Sequence, residues 1–227
     1  MTRHGFFKFI LIFGVLTAWA SCKKSTVDPP LTYTDYYPVD VGHWVIYDMD
    51  STVYDAFLNG ADTNYHYQIK EVIADVFKDN TGQTTYRIER FKRQADTDPW
   101  LISDVWYANR FDDRLERVEE NLRYVRLQFP PRKNHSWDGN AMNTLETWNY
   151  RYTAVHQSYT VGTFDFDSTV TVQQVDEANL IEEKSVEEVY ALHVGMVRKT
   201  YRVLDKEVDG TIKGGLDYTM TLLDWSE

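Results

Sequence analysis

Cysteine is almost missing from this sequence, since Cys22 is the single one among 227 residues. One cysteine excludes an internal disulfide, so the stability of the fold must come from its packed core. Positive charge is also scarce: 24 Lys and Arg stand against 35 Asp and Glu, which gives a formal net charge of −11. Phosphates of nucleic acids require clustered basic side chains, so this acidic composition argues against a nucleic-acid partner.

Long hydrophobic runs are missing as well. The longest apolar stretch covers residues 9–20 (FILIFGVLTAWA), which is too short for a membrane-spanning helix of roughly 20 residues. It follows the basic residues Arg3 and Lys8 and ends in small residues before Cys22. This pattern is typical of a secretory signal peptide, which we expect over residues 1–21.

The residues around Cys22 resemble a known processing signal. Ala20-Ser21-Cys22 resembles the lipobox of bacterial lipoprotein precursors, although Trp19 stands where an aliphatic residue is usual. The resemblance implies a diacylglyceryl group and an N-acyl chain, such as palmitate, on Cys22. Two or more acyl chains hold a protein stably on a membrane. We therefore expect a lipid anchor in the outer membrane of the cell envelope. The domain could lie on the periplasmic side of this membrane or on the cell surface.

The segment after the cysteine is polar. Residues 23–32 (KKSTVDPPLT) indicate an extended tether of roughly 30 Å, at about 3.1 Å per residue. We expect the lipidated cysteine and flexible tether over residues 22–35 and one antiparallel β domain over residues 36–227. Without the signal peptide, 22 Lys and Arg remain against 35 Asp and Glu, which also argues against electrostatic docking on anionic lipid headgroups.

Alternation of apolar and polar residues with period two dominates the rest of the chain, and it predicts β-strands. Residues 84–92 (TTYRIERFK) show it most clearly, and Asn59-Gly60, residues 79–82 and Asp209-Gly210 indicate turns. Helical character competes only at residues 182–192. Ten segments qualify as strands: 43–54, 65–77, 84–92, 100–107, 114–119, 123–129, 146–155, 166–175, 196–208 and 213–225.

Short turns between these segments predict the fold class. Strands without intervening helices favour antiparallel pairing over βαβ units. We expect an all-β fold, a single antiparallel β-barrel or strongly curved sheet of about ten strands, with little helix outside the signal peptide. Residues 132–142 form a long polar loop in this scheme.

Both ends of the domain resemble a known class of protein. Residues 37–47 (YPVDVGHWVIY) resemble the start Tyr-x-Pro-(Leu/Val)-x-x-Gly-x-x-Trp-x-Tyr of mature secreted lipoproteins of the Bacteroidetes type. Residues 194–199 and 214–220 are similar to an inner strand and the closing strand of the same proteins. The resemblance implies an exported protein with β architecture, and it transfers no active site.

Motifs of catalysis and metal binding are not found in the sequence. It contains no CxxC, HExxH or GxSxG pattern. Asp48–Asp50 and Asp165–Asp167 each share one face of a strand, but neither pair has the glycine turn of a calcium loop. No pair of carboxylates is marked as a glycosidase pair. We expect no enzymatic activity, no catalytic residue, no metal and no cofactor.

Aromatic residues are the best candidates for binding. Trp100 and Trp106 would share one face of a regular strand, and Trp137 lies in a polar stretch with Trp148 beyond it. Exposed rings of this kind stack on sugars, whereas buried ones belong to the core. The candidate binding residues are therefore Trp137, Trp100 and Trp106.

Three functions follow from these features. The first is a non-enzymatic binding or accessory module for a glycan, a peptide or an envelope protein partner. The alternative is a carrier of a lipid or hydrophobic ligand inside a β-barrel, since small barrels can enclose one ligand. A hydrolase of the cell envelope ranks last.

Overall fold

Twelve antiparallel strands make up the fold in the computed structural model, which describes residues 33–58 and 60–226. The predicted signal peptide and Cys22 lie outside the described residues. The strands, in chain order, are β1 (Trp44–Asp55), β2 (Ala61–Lys78), β3 (Thr84–Arg93), β4 (Leu101–Arg110), β5 (Arg114–Glu119), β6 (Leu122–Gln128), β7 (Ser136–Asp138), β8 (Asn149–Val161), β9 (Phe164–Ala178), β10 (Glu182–Ala191), β11 (Gly195–Lys206) and β12 (Ile212–Trp225).

All twelve strands belong to one sheet, in the order β6-β5-β4-β3-β2-β1-β12-β11-β10-β9-β8-β7. The two ends of this order meet, because the backbone N–H of Val125 donates to the carbonyl of Gly139 at 2.9 Å. The indole N–H of Trp137 donates back to the Val125 carbonyl at 2.8 Å. We call this contact between β6 and β7 the seam. The sheet is thus a nearly closed barrel, and the predicted all-β class is confirmed.

The predicted number of strands was too low by two. Strand β7 lies inside the segment that was predicted as a polar loop, where three residues pair with β8. Strand β10 occupies the segment whose pattern competed with a helix. Its Glu188 and Tyr190 face the interior together, so a buried charge interrupts the apolar alternation on which strand prediction depends.

The turns follow the sequence signals. Between β2 and β3, a carboxylate oxygen of Asp79 accepts the backbone N–H groups of Thr81 at 2.8 Å and Gln83 at 3.0 Å. Gly82 completes this turn with φ +80°, a conformation that glycine adopts at little cost. Both turns formed by residues 79–82 and by Asp209-Gly210 join adjacent strands, as predicted.

The segment before β1 covers one end of the barrel, which we call the closed end. It begins with a short 3-10 helix, Tyr33–Tyr36. The side chains of Tyr36, Tyr37 and Val39 are buried, and His193 donates its backbone N–H to the Asp35 carbonyl at 2.8 Å. No helix within residues 33–58 and 60–226 is long and apolar enough to cross a bilayer. The opposite end, at the β5–β6 turn and residues 139–148, is the open end.

Candidate functional site

Charged side chains line the middle of the barrel. They come from alternate positions of strands on both sides of the interior, and their exposed fractions lie between 2% and 14%. Burial of a charge is costly unless the charge is paired. We call the seven residues the ion chain: Arg90, Glu71, Arg117, Glu119, Arg126, Glu188 and Lys199.

Opposite charges alternate along the ion chain. Arg90 Nε lies 3.0 Å from Glu71 Oε1, and Arg117 Nη2 lies 3.2 Å from Glu71 Oε2. Arg117 Nε also lies 3.2 Å from Glu119 Oε1, at an angle that makes no hydrogen bond. Arg126 Nη2 then contacts Glu119 Oε2 at 2.6 Å. These contacts connect strands β2, β3, β5 and β6 across the interior.

The last part of the ion chain crosses the barrel interior from β6 to β10 and β11. Arg126 Nη1 lies 3.6 Å from Glu188 Oε1, and Lys199 Nζ lies 2.8 Å from the same oxygen. The hydroxyl of Tyr190 donates to the other Glu188 oxygen at 2.6 Å. Strand β6 is therefore connected through side chains to β10 and β11.

The ion chain sets the protonation of two of its carboxyls, Glu119 and Glu188. Burial acts to raise the pKa of Glu188, but Lys199 and Arg126 outweigh it and hold this pKa at about 2. Burial also opposes the charge of Glu119, whose pKa is nevertheless held well below its usual range by Arg126 and Arg117. Lys199 has a raised pKa, because Glu188 outweighs the effect of burial. All three groups are charged at neutral pH.

A loss of stability in acid follows from these shifts. Glu188 binds protons less readily in the folded state, with a pKa of about 2 against an ordinary 4.5. Its contribution to the free energy of unfolding is fully present above about pH 4.5 and is lost as the pH falls toward about 2. Urea unfolding at pH 6, 4 and 3 should give a free energy that falls with each step. A free energy that stays constant or rises between pH 4 and 3 would contradict this expectation.

Between the ion chain and the open end, the barrel contains an aromatic cavity. This main cavity has a volume of about 630 Å³, within the usual range of ligand pockets. Arg126, Glu119 and Lys199 form its charged inner surface. The rings that line it come from the inner faces of five strands and from the loop before β8: Trp106, Tyr124, Trp148, Tyr150, Tyr201 and Tyr218.

The rings of the main cavity differ in how freely they can meet a ligand. The guanidinium of Arg90 lies 3.7 Å from the centre of the Trp106 ring and covers part of it. Tyr201 and Tyr218 are cross-strand neighbours and stack with their ring centres 4.9 Å apart. Trp148 has no aromatic or cationic partner over its ring among the described residues, and its indole N–H donates to Glu146 at 3.2 Å. Trp148 therefore offers the freest stacking surface.

A smaller cavity of about 210 Å³ continues inward from the main cavity. Trp106, Glu119, Lys199 and Tyr218 line both. Its other walls are three methionines, Tyr67, Ile69 and four more residues of the ion chain: Glu71, Arg90, Arg117 and Glu188. A ligand entering from the open end would therefore meet aromatic rings first and charged groups deeper in.

The three tryptophans proposed from the sequence lie in three different environments. Trp137 is only 7% exposed and packs against Tyr150 and Tyr152 with ring centres 5.9 and 4.9 Å away. Its burial removes the exposed ring that stacking on a sugar requires, so we leave Trp137 out of the proposed site. Its role is structural, because its indole N–H donates to the Val125 carbonyl across the seam.

Trp100 and Trp106 do not share a face, which corrects the prediction from spacing. The pairing of β3 with β4 shifts by one residue between Arg90 and Phe91, and this bulge reverses the alternation of β4. Trp106 consequently faces the interior, whereas the ring of Trp100 packs under Arg93 on the outer face. Only Trp106 of the three lines the main cavity.

The ion chain was missed by the sequence analysis. Its signal is nevertheless present in β3, where Tyr86, Ile88 and Arg90 occupy alternate positions and so share the inner face. An arginine in phase with buried apolar residues indicates a charge inside the barrel. Period-two alternation alone predicts only one apolar and one charged face for this strand.

The acidic pair Asp48–Asp50 lies on the outer face of β1, beside His66 of β2. His66 contacts Asp50 at 2.9 Å and Asp48 at 3.4 Å. Its pKa is raised, first by the hydrogen bond with Asp50 and then by the charge of Asp48. Asp50 and His66 are exposed, Asp48 is partly exposed, and the three contact one another, so we assign no metal to them.

Comparisons with known proteins show a fold. No protein-family model and no curated protein matches the chain. A solved structure of an exported protein with a YmcC-like fold, from Bacteroides fragilis, matches 84% of this chain and 98% of its own, with a TM-score of 0.50 and 10% identity. A lipoprotein from Parabacteroides distasonis covers the same shares with a TM-score of 0.39 and 8% identity. At 10% identity, the likeness to the Bacteroides fragilis protein shows that the two chains share an all-β fold.

Proposed function

We propose that this chain is an exported lipoprotein of the cell envelope, anchored through Cys22, that binds a saccharide in the main cavity without transforming it. The observation that carries the proposal is the open cavity of about 630 Å³, with aromatic walls and a polar inner surface. Flat rings stack on the apolar faces of sugar rings, while hydrogen-bonding groups select their hydroxyls. Trp148, Tyr201 and Tyr218 supply the rings.

A lipid carrier is the weaker alternative. The volume of the main cavity would accommodate an acyl chain, but such a chain would come to lie against Arg126, Glu119 and Lys199. Apolar contact would remove the remaining solvation of these charged groups without replacing it. The polar inner surface therefore favours a ligand that carries its own hydrogen-bonding groups.

The protonation of Glu119 and Glu188 supports binding over hydrolysis. A glycosidase needs a general acid whose pKa is raised, so that it holds its proton near neutral pH. Glu119 and Glu188 have lowered pKa values and are engaged by cations. They would neither donate a proton to a glycosidic oxygen nor be free to attack a sugar.

Trp148→Ala tests the proposed function. We expect it to weaken saccharide binding by roughly three- to tenfold, because the largest free ring of the main cavity is lost. Isothermal titration calorimetry of the intact protein in detergent, against a panel of neutral and acidic oligosaccharides, measures the affinity. Trp100→Ala is the matched control, since it removes an indole from the outer face. Equal losses in both variants, or no binding by the unaltered protein, would refute the proposal.

A further inference from the structure

The buried carboxylates beside the main cavity have no free oxygen. Arg126 donates to both oxygens of Glu119, at 3.2 and 2.6 Å. One oxygen of Glu188 pairs with Lys199 at 2.8 Å, and the other accepts the hydroxyl of Tyr190 at 2.6 Å. The protein's own donors therefore use these acceptors, and a ligand that offers only donors would find none of them available.

Hydrogen-bond donors without an acceptor, by contrast, line the same cavity. Gln174 is 1% exposed and lines the main cavity, and its amide nitrogen has no hydrogen-bond partner among the described residues. The Tyr150 hydroxyl accepts from Arg126 at 3.1 Å, and its own proton has no acceptor in that part of the chain. The Lys199 ammonium has three N–H groups and one carboxylate partner. Buried donors without partners are rare in native proteins, and each requires an explanation.

The ion chain ends in a cation, Lys199, that lines the main cavity. Four cations stand against three carboxylates within it. A fourth carboxylate, Asp104, is partly exposed and pairs with Arg90 at the far end of the ion chain, away from Lys199. At the rim, Glu120 accepts the indole N–H of Trp106, and Glu146 is paired with Lys184. Counted with Asp104, four carboxylates balance the four cations, and Lys199 stands at the end of the row with Glu188 as its one carboxylate partner among the described residues.

We propose that the saccharide bound by the main cavity is acidic and that its carboxylate binds to Lys199, Gln174 and Tyr150. This inference rests on the proposed function and names its ligand class, a sugar acid such as a uronic acid. A carboxylate supplies the acceptors that the site lacks. Lys199, which has one carboxylate partner among the described residues, supplies the cation that pairs with it.

The first experiment compares sugars that differ only in this group. Isothermal titration calorimetry of the intact protein in detergent would use oligogalacturonides and oligoglucuronides, each beside the neutral oligosaccharide in which C6 is a hydroxymethyl group. A hydrogen-bonded charge should make the acidic member of at least one pair bind roughly tenfold more tightly. Equal affinity within every pair would overturn the inference and leave the proposed function standing. Failure of all members to bind would overturn both.

A second experiment assigns the group to its site. Gln174→Met removes a buried donor that has no partner, so the variant should fold at least as stably as the unaltered protein. It should nevertheless lose roughly tenfold in affinity for the acidic sugar and little for the neutral one. Gln173→Met is the matched control, because Gln173 lies on the outer face and pairs with Arg151 at 2.6 Å.

The variants also distinguish the site from the rest of the cavity. Should Gln174→Met fail to fold, Tyr150→Phe keeps the buried ring and removes only the hydroxyl, with the same loss expected for the acidic sugar. Unchanged affinity for the acidic sugar in a folded Gln174→Met or Tyr150→Phe variant would overturn the inference. An equal loss in Gln173→Met would overturn it too.

Discussion

Replacing Glu71 by methionine should lower the free energy of unfolding by about 3–5 kcal/mol. The carboxylate of Glu71 is the shared partner of Arg90 and Arg117, and all three side chains are at least 89% buried. Its removal leaves a guanidinium of Arg117 inside the barrel with no hydrogen-bonded carboxylate. Methionine preserves most of the volume, so the loss reports an unpaired buried charge and not a cavity. Chemical denaturation at neutral pH measures it.

A surface ion pair gives the matched control for Glu71→Met. Glu207 and Lys213 lie 3.3 Å apart, and both side chains are about half exposed. Glu207→Met should change the free energy of unfolding by less than about 1 kcal/mol. A loss of similar size in both variants would contradict the view that the ion chain is shielded from water, and so would a loss below about 1 kcal/mol in Glu71→Met.

Trp137→Ala should be comparably damaging, with a loss of about 3–5 kcal/mol. The indole is 93% buried, fills the space beside Tyr150 and Tyr152, and donates to the Val125 carbonyl across the seam. Alanine would remove this packing and one of the few contacts between β6 and β7. Urea or guanidinium unfolding, followed by tyrosine fluorescence or circular dichroism, gives the free energy.

Two further variants separate the contributions of Trp137. Trp137→Phe keeps an aromatic ring and loses the hydrogen bond to Val125, for which we expect a loss of about 1–3 kcal/mol, since a buried carbonyl is left unsatisfied. Trp100→Ala removes an indole that packs under Arg93 on the outer face, with an expected loss of about 1 kcal/mol or less. If Trp137→Ala were no more harmful than Trp100→Ala, the assignment of Trp137 to the seam would be incorrect.

Most of the fold is predictable because period-two alternation survives wherever one face of a strand is apolar. The segment 84–92 became β3 (Thr84–Arg93), and 114–119 became β5 with the same bounds. The two strands that were missed show where this signal fails. Strand β7 is three residues long, below the length at which alternation is visible. In β10, Glu188 occupies a core position because Lys199 and Arg126 neutralise it, and no pattern within β10 reveals those partners.

The candidate site was less predictable than the fold. Trp106 is one of the predicted binding residues and does line the main cavity. Spacing alone predicts that Trp100 shares its face, because the residue spacing does not reveal the bulge in β4. Trp137 lies among polar residues in the sequence, but Tyr150 and Tyr152 of β8 cover its ring, and it contacts β6 through the closure of the barrel. No sequence pattern around Gln174 indicates a binding residue. The lack of a hydrogen-bond partner for its amide nitrogen depends on which side chains surround it in the folded barrel.

The strand order has one more physical consequence. Each half of the barrel, β1–β6 and β7–β12, is a meander of sequential neighbours, and the halves share a full strand pairing only at β1 and β12. On the other side of the barrel, the halves meet through the seam and through the contact of Arg126 with Glu188. The main cavity takes Tyr124 and Arg126 from one half and Gln174 and Lys199 from the other. A ligand that contacts both halves would hold them together. Its binding and the closure of the barrel would therefore stabilise each other.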